Sequence, residues 1–333
     1  MDKPRCQWLC MLSAAVAPLM ALAADPEKVT YQQHQETHRF INEVADNDGF
    51  SKQQLNEWFA SATKKQSILD AISRPAEKTL TWKEYRKIFV TDSRIDKGID
   101  FWQTHQETLA KAEQDFGVPA EVIVAIIGVE TRYGKHKGRY RVIDALSTLA
   151  FDYPKRSAFF RKELREFLLL SREQKLDPLE PVGSYAGAMG YGQFIPSSYR
   201  AYAIDYDGDE FVDIWNNPVD AIGSVANYFK RHGWRSGEDV TVRTRASRGH
   251  DVSILNQSLK PSLTLKVLGE SGFSVDDTLA GDRTATVMRL EGRWGSEYWL
   301  GLHNFYVITR YNHSRLYAMA VWQLSQEIAK KRS

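Results

Sequence analysis

The chain has 333 residues, 43% of them hydrophobic and 26% charged, proportions that fit a folded globular protein with room for two or more domains. A formal net charge of +2 is too small to imply electrostatic capture of nucleic acid. The 9 Trp, 15 Tyr and 15 Phe suit a core as well as a binding surface, so aromatic content alone excludes neither.

Lys3 and Arg5 precede the apolar stretch WLCMLSAAVAPLMALAA (8–24), and DPEK follows it. A basic start, an apolar middle and small residues at Ala21-Leu22-Ala23 predict a secretory signal peptide over 1–24, cleaved near Ala23 or Ala24. Pro18 interrupts the apolar part, which argues against a spanning helix, and no later segment has the roughly 20 uninterrupted apolar residues that a transmembrane anchor needs. Both cysteines, Cys6 and Cys10, lie in this segment. A mature chain without them has no disulfide, thiolate nucleophile or Cys-ligated metal. The expectation is an exported, periplasmic protein.

From 25 to 115 the pattern is helical: HRFINEVADN, SKQQLNEWFASA and KQSILDAISR space apolar residues three and four apart. Asp48-Gly49 and Arg74-Pro75 separate these helices, and Ser51 with Gln54 has the spacing of a capping box. A second segment, 116–236, opens at Val118-Pro119 with proline in a first-turn position. The helix that follows carries VIVAIIGVETRYG (122–134), an uncharged run from Val122 to Val129 that ends in Glu130. An ionised carboxylate in apolar surroundings is penalised, so it tends to hold its proton. Two readings fit: a helix-end glutamate that reaches solvent or pairs with Arg132, or a proton donor at a reaction centre.

Further helices are predicted over Val142 to Ala150, Ser157 to Ser171, SSYRAYAI and DAIGSVANYFKR. Between them lies GSYAGAMGYGQFIP (183–196), Gly-rich but without a phosphate-loop lysine or a GxGxxG pattern. Its Ser184, Tyr191, Gln193 and Phe194 suit sugar binding, or an ordered loop packed on the core. DYDGDEFVD (205–213) places oxygen donors at Asp205, Asp207 and Asp209, a backbone position at Phe211 and a further carboxylate at Asp213. That spacing suits a hard cation such as calcium, with Asp220 as the replacement for the closing carboxylate. The match to an EF-hand loop is partial, because Glu210 stands where glycine is expected and Asn216 where glutamate is. The other reading is an acidic turn; four aspartates at ligand spacing favour the ion.

Composition changes over 237–292. DVTVRTRAS, SLTLKVL and TATVMRLEG alternate polar and apolar residues, the strand signature of a small β-rich module. The last segment, 293–333, ends in the strongly periodic helix RLYAMAVWQLSQEIAKK.

In this order, GVETRYG, GAMGYGQFIPSSY, the DYDGD loop with DAIGSVANYFKRHGW, and NFYVITRYNHSRLYAMAVWQL resemble the lytic murein transglycosylase B family. With weaker similarity from about Trp82, the resemblance covers most of the mature chain. It implies a mainly α (α+β) fold: a lysozyme-like helical core with an N-terminal helical domain and a small β-rich insertion. Glu130 falls at the family's single catalytic carboxylate. Ser184, Gln193, Asn312 and Arg156 match cleft positions. Tyr85, Phe194, Tyr228, Tyr311 and Tyr317 match the aromatic lining that holds glycan rings. Asp205, Asp207, Asp209 and Asp220 match the metal loop. IWNNPVDAIG is one residue longer than the loop's shortest form, which leaves Asp213 and Asp220 both open as the closing ligand.

The resemblance further implies cleavage of the β-1,4 bond between N-acetylmuramic acid and N-acetylglucosamine in peptidoglycan. Glu130 would act as acid and then base while the C6 hydroxyl closes a 1,6-anhydro ring, with Ser184 and Gln193 orienting the sugar. No organic cofactor is expected, one structural calcium is, and the partners are glycan strands, with wall-synthesis enzymes as a further class. Two alternatives stand beside this. A hydrolytic muramidase would need a second carboxylate, for which Asp144 and Asp152 are near in sequence. A non-catalytic, calcium-stabilised peptidoglycan-binding protein would need none.

Overall fold

The computed structural model describes residues 29–73, 80–275 and 283–333; the signal-peptide segment and the Arg74-Pro75 break lie outside these. Helices α1 (Gln35–Asp48), α2 (Lys52–Ser61) and α3 (Gln66–Ile72) come first, followed by α4 (Trp82–Phe89), α5 (Asp92–Thr104), α6 (Gln106–Phe116) and α7 (Ala120–Thr131). Strands β1 (Tyr140–Arg141) and β2 (Val182–Gly183) pair antiparallel on either side of α8 (Val142–Asp152) and α9 (Ser157–Glu173) in the chain. Next are α10 (Pro196–Tyr202), α11 (Pro218–Arg231), β3 (Thr241–Thr244), β4 (Leu263–Thr264) and α12 (Leu265–Glu270). The chain ends with β5 (Thr284–Gly292), β6 (Gly295–Gly301), α13 (His303–Tyr311) and α14 (Arg315–Arg332).

Contacts group the described residues into two compact units, 80–133 with 225–333, and 29–73 with 134–224. In the unit of 80–133 and 225–333, α7 is the central rod. It is apolar on every side and buried from Val122 to Thr131, the pattern of a helix enclosed by protein. Helices α5, α6 and α14 pack on it. Tyr133 folds back between α5 and α7 with its hydroxyl donating to Arg94 O at 2.8 Å. Glycine at 98 and 128 makes room for it, since a Cβ there would lie 2.6 and 2.5 Å from the tyrosine oxygen. Pro119 is the N-cap of α7, one position before the first turn in which the sequence places it.

The four-stranded sheet of this unit is ordered β3-β6-β5-β4, all antiparallel. Leu268, Phe273, Ala285, Val287, Leu300 and Leu302 form its core. The predicted strand TATVMRLEG is β5 residue for residue. SLTLKVL departs from expectation: only Leu263 and Thr264 are strand, because the Thr264 hydroxyl accepts from Val267 N and starts α12. The sheet also continues past Gly292 through β6, which pairs with β5 from Thr286–Gly301 to Gly292–Gly295.

In the unit of 29–73 and 134–224, α8 and α9 pack together, α3 lies on α8, and α1 and α10 on α9. Ser51 caps α2 by accepting from Gln54 N, and Gly49 ends α1 in the left-handed region at φ 70°. Asp144 is buried and satisfied by Thr63 N at 2.8 Å and by the Arg141 guanidinium at 2.8 and 3.0 Å. Glu163 on α9 accepts from Ser197 N and Oγ, at 2.9 and 2.8 Å, in the first turn of α10.

Burial pushes the Glu163 carboxyl up to about 7, against the downward pull of the Ser197 donors. The folded chain therefore holds this proton more tightly than the unfolded chain, whose ordinary value is 4.5. The stabilisation is complete below 4.5 and is lost as pH rises through about 7. Glu163→Gln keeps an acceptor for Ser197 and removes the titration. Between pH 5 and pH 8, urea unfolding should show wild type losing roughly 2 kcal/mol relative to this variant. A stability difference that does not change with pH would refute the buried titration.

Candidate active site

Glu130 sits in the last turn of α7, 7% exposed. The helix stops one residue later, where Arg132 and Tyr133 take left-handed conformations at φ 51° and 61°. Two positive-φ residues in succession cost conformational energy that surrounding packing must offset, and the clamped Tyr133 ring supplies that packing. Tyr317 reaches Glu130 from α14, its hydroxyl donating to Oε1 at 2.5 Å. Ser314 caps α14 by accepting from Tyr317 N, so the cap that starts the helix also positions the tyrosine. Among the described residues of this unit, Glu130 is the one buried carboxylate.

Other sequence-singled residues of the same unit are also buried. Asn312 ends α13 in an extended conformation. The rings of Tyr228 and Tyr311 meet at 4.7 Å, Tyr228 stacks on His232 at 4.0 Å, and its hydroxyl donates to Arg310 O at 2.5 Å. Tyr85 packs against Phe89 at 4.7 Å. The family resemblance places Tyr317 only among the aromatics that hold glycan rings. Its contact with Glu130 joins positions 187 apart, and no local pattern encodes such a pairing.

In the other unit, the connector 183–196 is held by its own backbone and polar side chains. Ser184 Oγ accepts from Ala186 N at 3.3 Å and Ala188 N at 3.0 Å. Gln193, at φ 50°, donates through Nε2 to Gly190 O at 2.9 Å and Lys137 O at 3.3 Å. Phe194 is buried and pairs through its backbone with Met189. The Arg156 guanidinium lies over the rings of Phe159 and Phe160, 4.3 and 5.1 Å from their centres.

The acidic loop of this unit brings carboxylate oxygens of Asp205, Asp207 and Asp209 within 4.8 Å of one another. Three like charges so close, presented by oxygen donors alone, fit a hard divalent cation. The remaining aspartates organise the loop backbone. Asp220 is fully buried and accepts from Tyr206 N at 2.7 Å and Asp213 N at 2.8 Å. Asp213 Oδ1 accepts from Trp215 N and Asn216 N. Burial raises Asp220 above the ordinary carboxylate range. Burial also pulls on Asp205, but donors at Gly208, Glu210 and Asp209 outweigh it and hold Asp205 below that range. Phe211 N donates to Asp209 Oδ1 at 2.9 Å. Asn217, which the loop spacing does not single out, donates to Asp207 Oδ2 at 2.7 Å; its place in the polar pair Asn216-Asn217 was the available signal.

The family model described as Transglycosylase SLT domain matches residues 32–326. The chain belongs to this family. It is 45% identical over 303 residues to the membrane-bound lytic murein transglycosylase B of Escherichia coli (strain K12), covering 88% of this chain and 82% of that protein. Among solved structures, catenated lytic transglycosylase SltB1 of Pseudomonas aeruginosa superposes with a TM-score of 0.88 at 55% identity, over 91% of this chain and all of that one. Escherichia coli lytic transglycosylase Slt35 in complex with calcium gives a TM-score of 0.83 at 42% identity, over 91% and 99% of the two chains. The mainly α (α+β), lysozyme-like fold expected from the transglycosylase resemblance is thus borne out. No helix among the described residues is long and apolar enough to cross a membrane.

Two outcomes follow for the SLT transglycosylase. Tyr317→Phe keeps the ring and removes one charge-assisted hydrogen bond to the candidate catalytic carboxylate. It should lower kcat roughly ten- to a hundredfold and move the alkaline limb of the pH–rate profile, the limb set by a group that must start protonated; an unmoved profile would show that the hydroxyl does not act through Glu130. Millimolar calcium should raise the melting temperature by mass action on the folded state. Asp205→Ala with Asp209→Ala should abolish that rise, and a calcium-independent Tm in wild type would leave the loop an acidic turn.

Proposed function

We propose that this transglycosylase cleaves the β-1,4 bond between N-acetylmuramic acid and N-acetylglucosamine in peptidoglycan without water, leaving 1,6-anhydro ends. The observation that carries this reading is the placement of Glu130, buried at the end of an apolar helix with Oε1 held by Tyr317. A proton held there is well placed for donation to the glycosidic oxygen. Once the bond breaks, the same carboxylate accepts the proton of the C6 hydroxyl, whose oxygen attacks C1 of its own sugar. Intramolecular attack has a large effective-concentration advantage when the sugar is correctly held, and one carboxylate serves both steps.

A hydrolase would use two carboxylates. The two that the sequence offers are already committed to structural partners, Asp144 to Thr63 and Arg141, and Asp152 to Tyr31 and Lys64. We assign Ser184, Gln193, Asn312 and Arg156 to sugar binding, with Tyr85, Phe194, Tyr228 and Tyr311 as the aromatic contribution. Asp205, Asp207 and Asp209 would hold a structural calcium, with the loop closed by Asp220 or Asp213. The ion supplies stability to the loop, and the chemistry asks only for a proton carrier. The mature enzyme would act in the periplasm, where its substrate lies.

Glu130→Gln preserves the shape of the side chain but cannot donate and accept a proton in turn. It should reduce cleavage of purified sacculi by roughly 10²–10⁴-fold with an unchanged melting curve. Mass analysis of wild-type products should find ends lighter by one water than hydrolysis products and free of label after digestion in heavy-oxygen water. Reducing ends that carry solvent oxygen would make the enzyme a muramidase.

A further inference from the structure

A cavity of about 800 Å³ lies within the unit that carries Glu130. Its walls come from the start of α4, the 256–260 loop, the end of β5, and the end of α13 with the link into α14. Lys260, Arg289, Arg310 and Arg315 line it, against one carboxylate, Glu291. None of these four cations has an ion-pair partner among the described residues. Uncompensated cations gathered around one concavity repel each other, and an anionic ligand relieves that repulsion.

Two of the arginines are anchored to the 256–260 loop, Arg289 through its backbone and Arg315 through its guanidinium. Asn256, in a left-handed conformation at φ 59°, exchanges both hydrogen bonds of its side-chain amide with the Arg289 backbone, at 3.0 and 3.1 Å. Its carbonyl accepts from Arg315 Nη2 at 2.7 Å. Arg315 Nε is buried without a hydrogen-bond partner, an unmet donor of the kind a carboxylate satisfies. Burial also lowers the Arg315 pKa, as expected for a guanidinium drawn from water without a counter-charge.

The position of the cavity selects the anion. Residues 313–316 line it, and they are the link between Asn312 and Tyr317, whose hydroxyl holds Glu130. A ligand in the cavity therefore touches the segment that positions the catalytic carboxylate. Where a stem is attached, the lactyl carboxyl of muramic acid is tied up as an amide, so the N-acetylated glycan backbone is neutral there and the carboxylates belong to the peptide stems. The volume lies in the range of pockets that enclose whole small ligands, far more than a lone inorganic anion fills. We propose that this cavity binds carboxylates of the peptide stem on the muramic acid residue and makes the enzyme prefer stem-bearing strands. The proposal rests on the peptidoglycan reading above.

The test compares kcat/KM of the full chain on stem-bearing strands and on strands stripped of peptide by an amidase, with the freed lactyl carboxyls capped as methylamides so that no carboxylate remains. Wild type should favour the stem-bearing strands. Arg310→Gln and Arg289→Gln should each shrink that ratio roughly tenfold, and Arg310→Lys should shrink it less, since it keeps the charge and loses the bidentate fork. A wild-type ratio near one, or a ratio these variants leave unmoved, overturns the proposal. Calorimetry on Glu130→Gln with free stem pentapeptide tests it apart from catalysis: binding that Arg310→Gln weakens supports it. Absent peptide binding, or saturation by inorganic phosphate alone, overturns it. Failure of wild type to cleave either strand would instead strike the transglycosylase reading, with the calorimetry still deciding the cavity.

Discussion

The hydrogen bond from Tyr317 to Glu130 is the contact on which the proposed chemistry depends. A buried carboxylate at the end of an apolar helix needs hydrogen-bond donors around it. Burial without a partner would cost several kcal/mol for the charged form, and one partner is supplied from far along the chain. It comes from the third residue of α14, and the Ser314 cap sets where that residue lies. The proposed catalytic geometry and helix capping are thereby one problem.

The same unit shows how tight packing makes this possible. Helix α7 is buried along its length, which leaves no flexible face to absorb error in the position of Glu130. The chain must turn sharply after it, and two left-handed residues do so. Tyr133 then returns to the helix it has just left and fills the space that Gly98 and Gly128 leave open. A close-packed interior is poorly deformable, so the carboxylate is held by its surroundings as well as by its partner.

In the other unit, polar side chains are spent on the backbone. Ser184, Gln193, Asp213, Asp220 and Glu163 all satisfy main-chain donors or acceptors in loops and helix starts. Irregular segments lack the internal bonding of helices and sheets, and side chains must supply it. That is why this connector and this acidic loop hold fixed shapes despite their glycine and aspartate content.

Much of this was legible in the sequence. The uncharged run before Glu130, the three alternating oxygen donors from Asp205, the strand TATVMRLEG and the terminal helix all lie in local spacing, and local spacing sets helix faces, caps and strand alternation. The ordered motifs pointed to the family and so to Glu130. What only the tertiary structure decided depends on residues distant in the chain: the pairing of Tyr317 with Glu130, the tyrosine wedge between two glycines, and the gathering of Arg289, Arg310 and Arg315 around one cavity. SLTLKVL shows the limit from the other side, since its alternation suits a strand while Thr264 caps a helix. Periodicity reports which face a residue can turn inward; which partner it meets there is settled by packing between segments far apart in sequence.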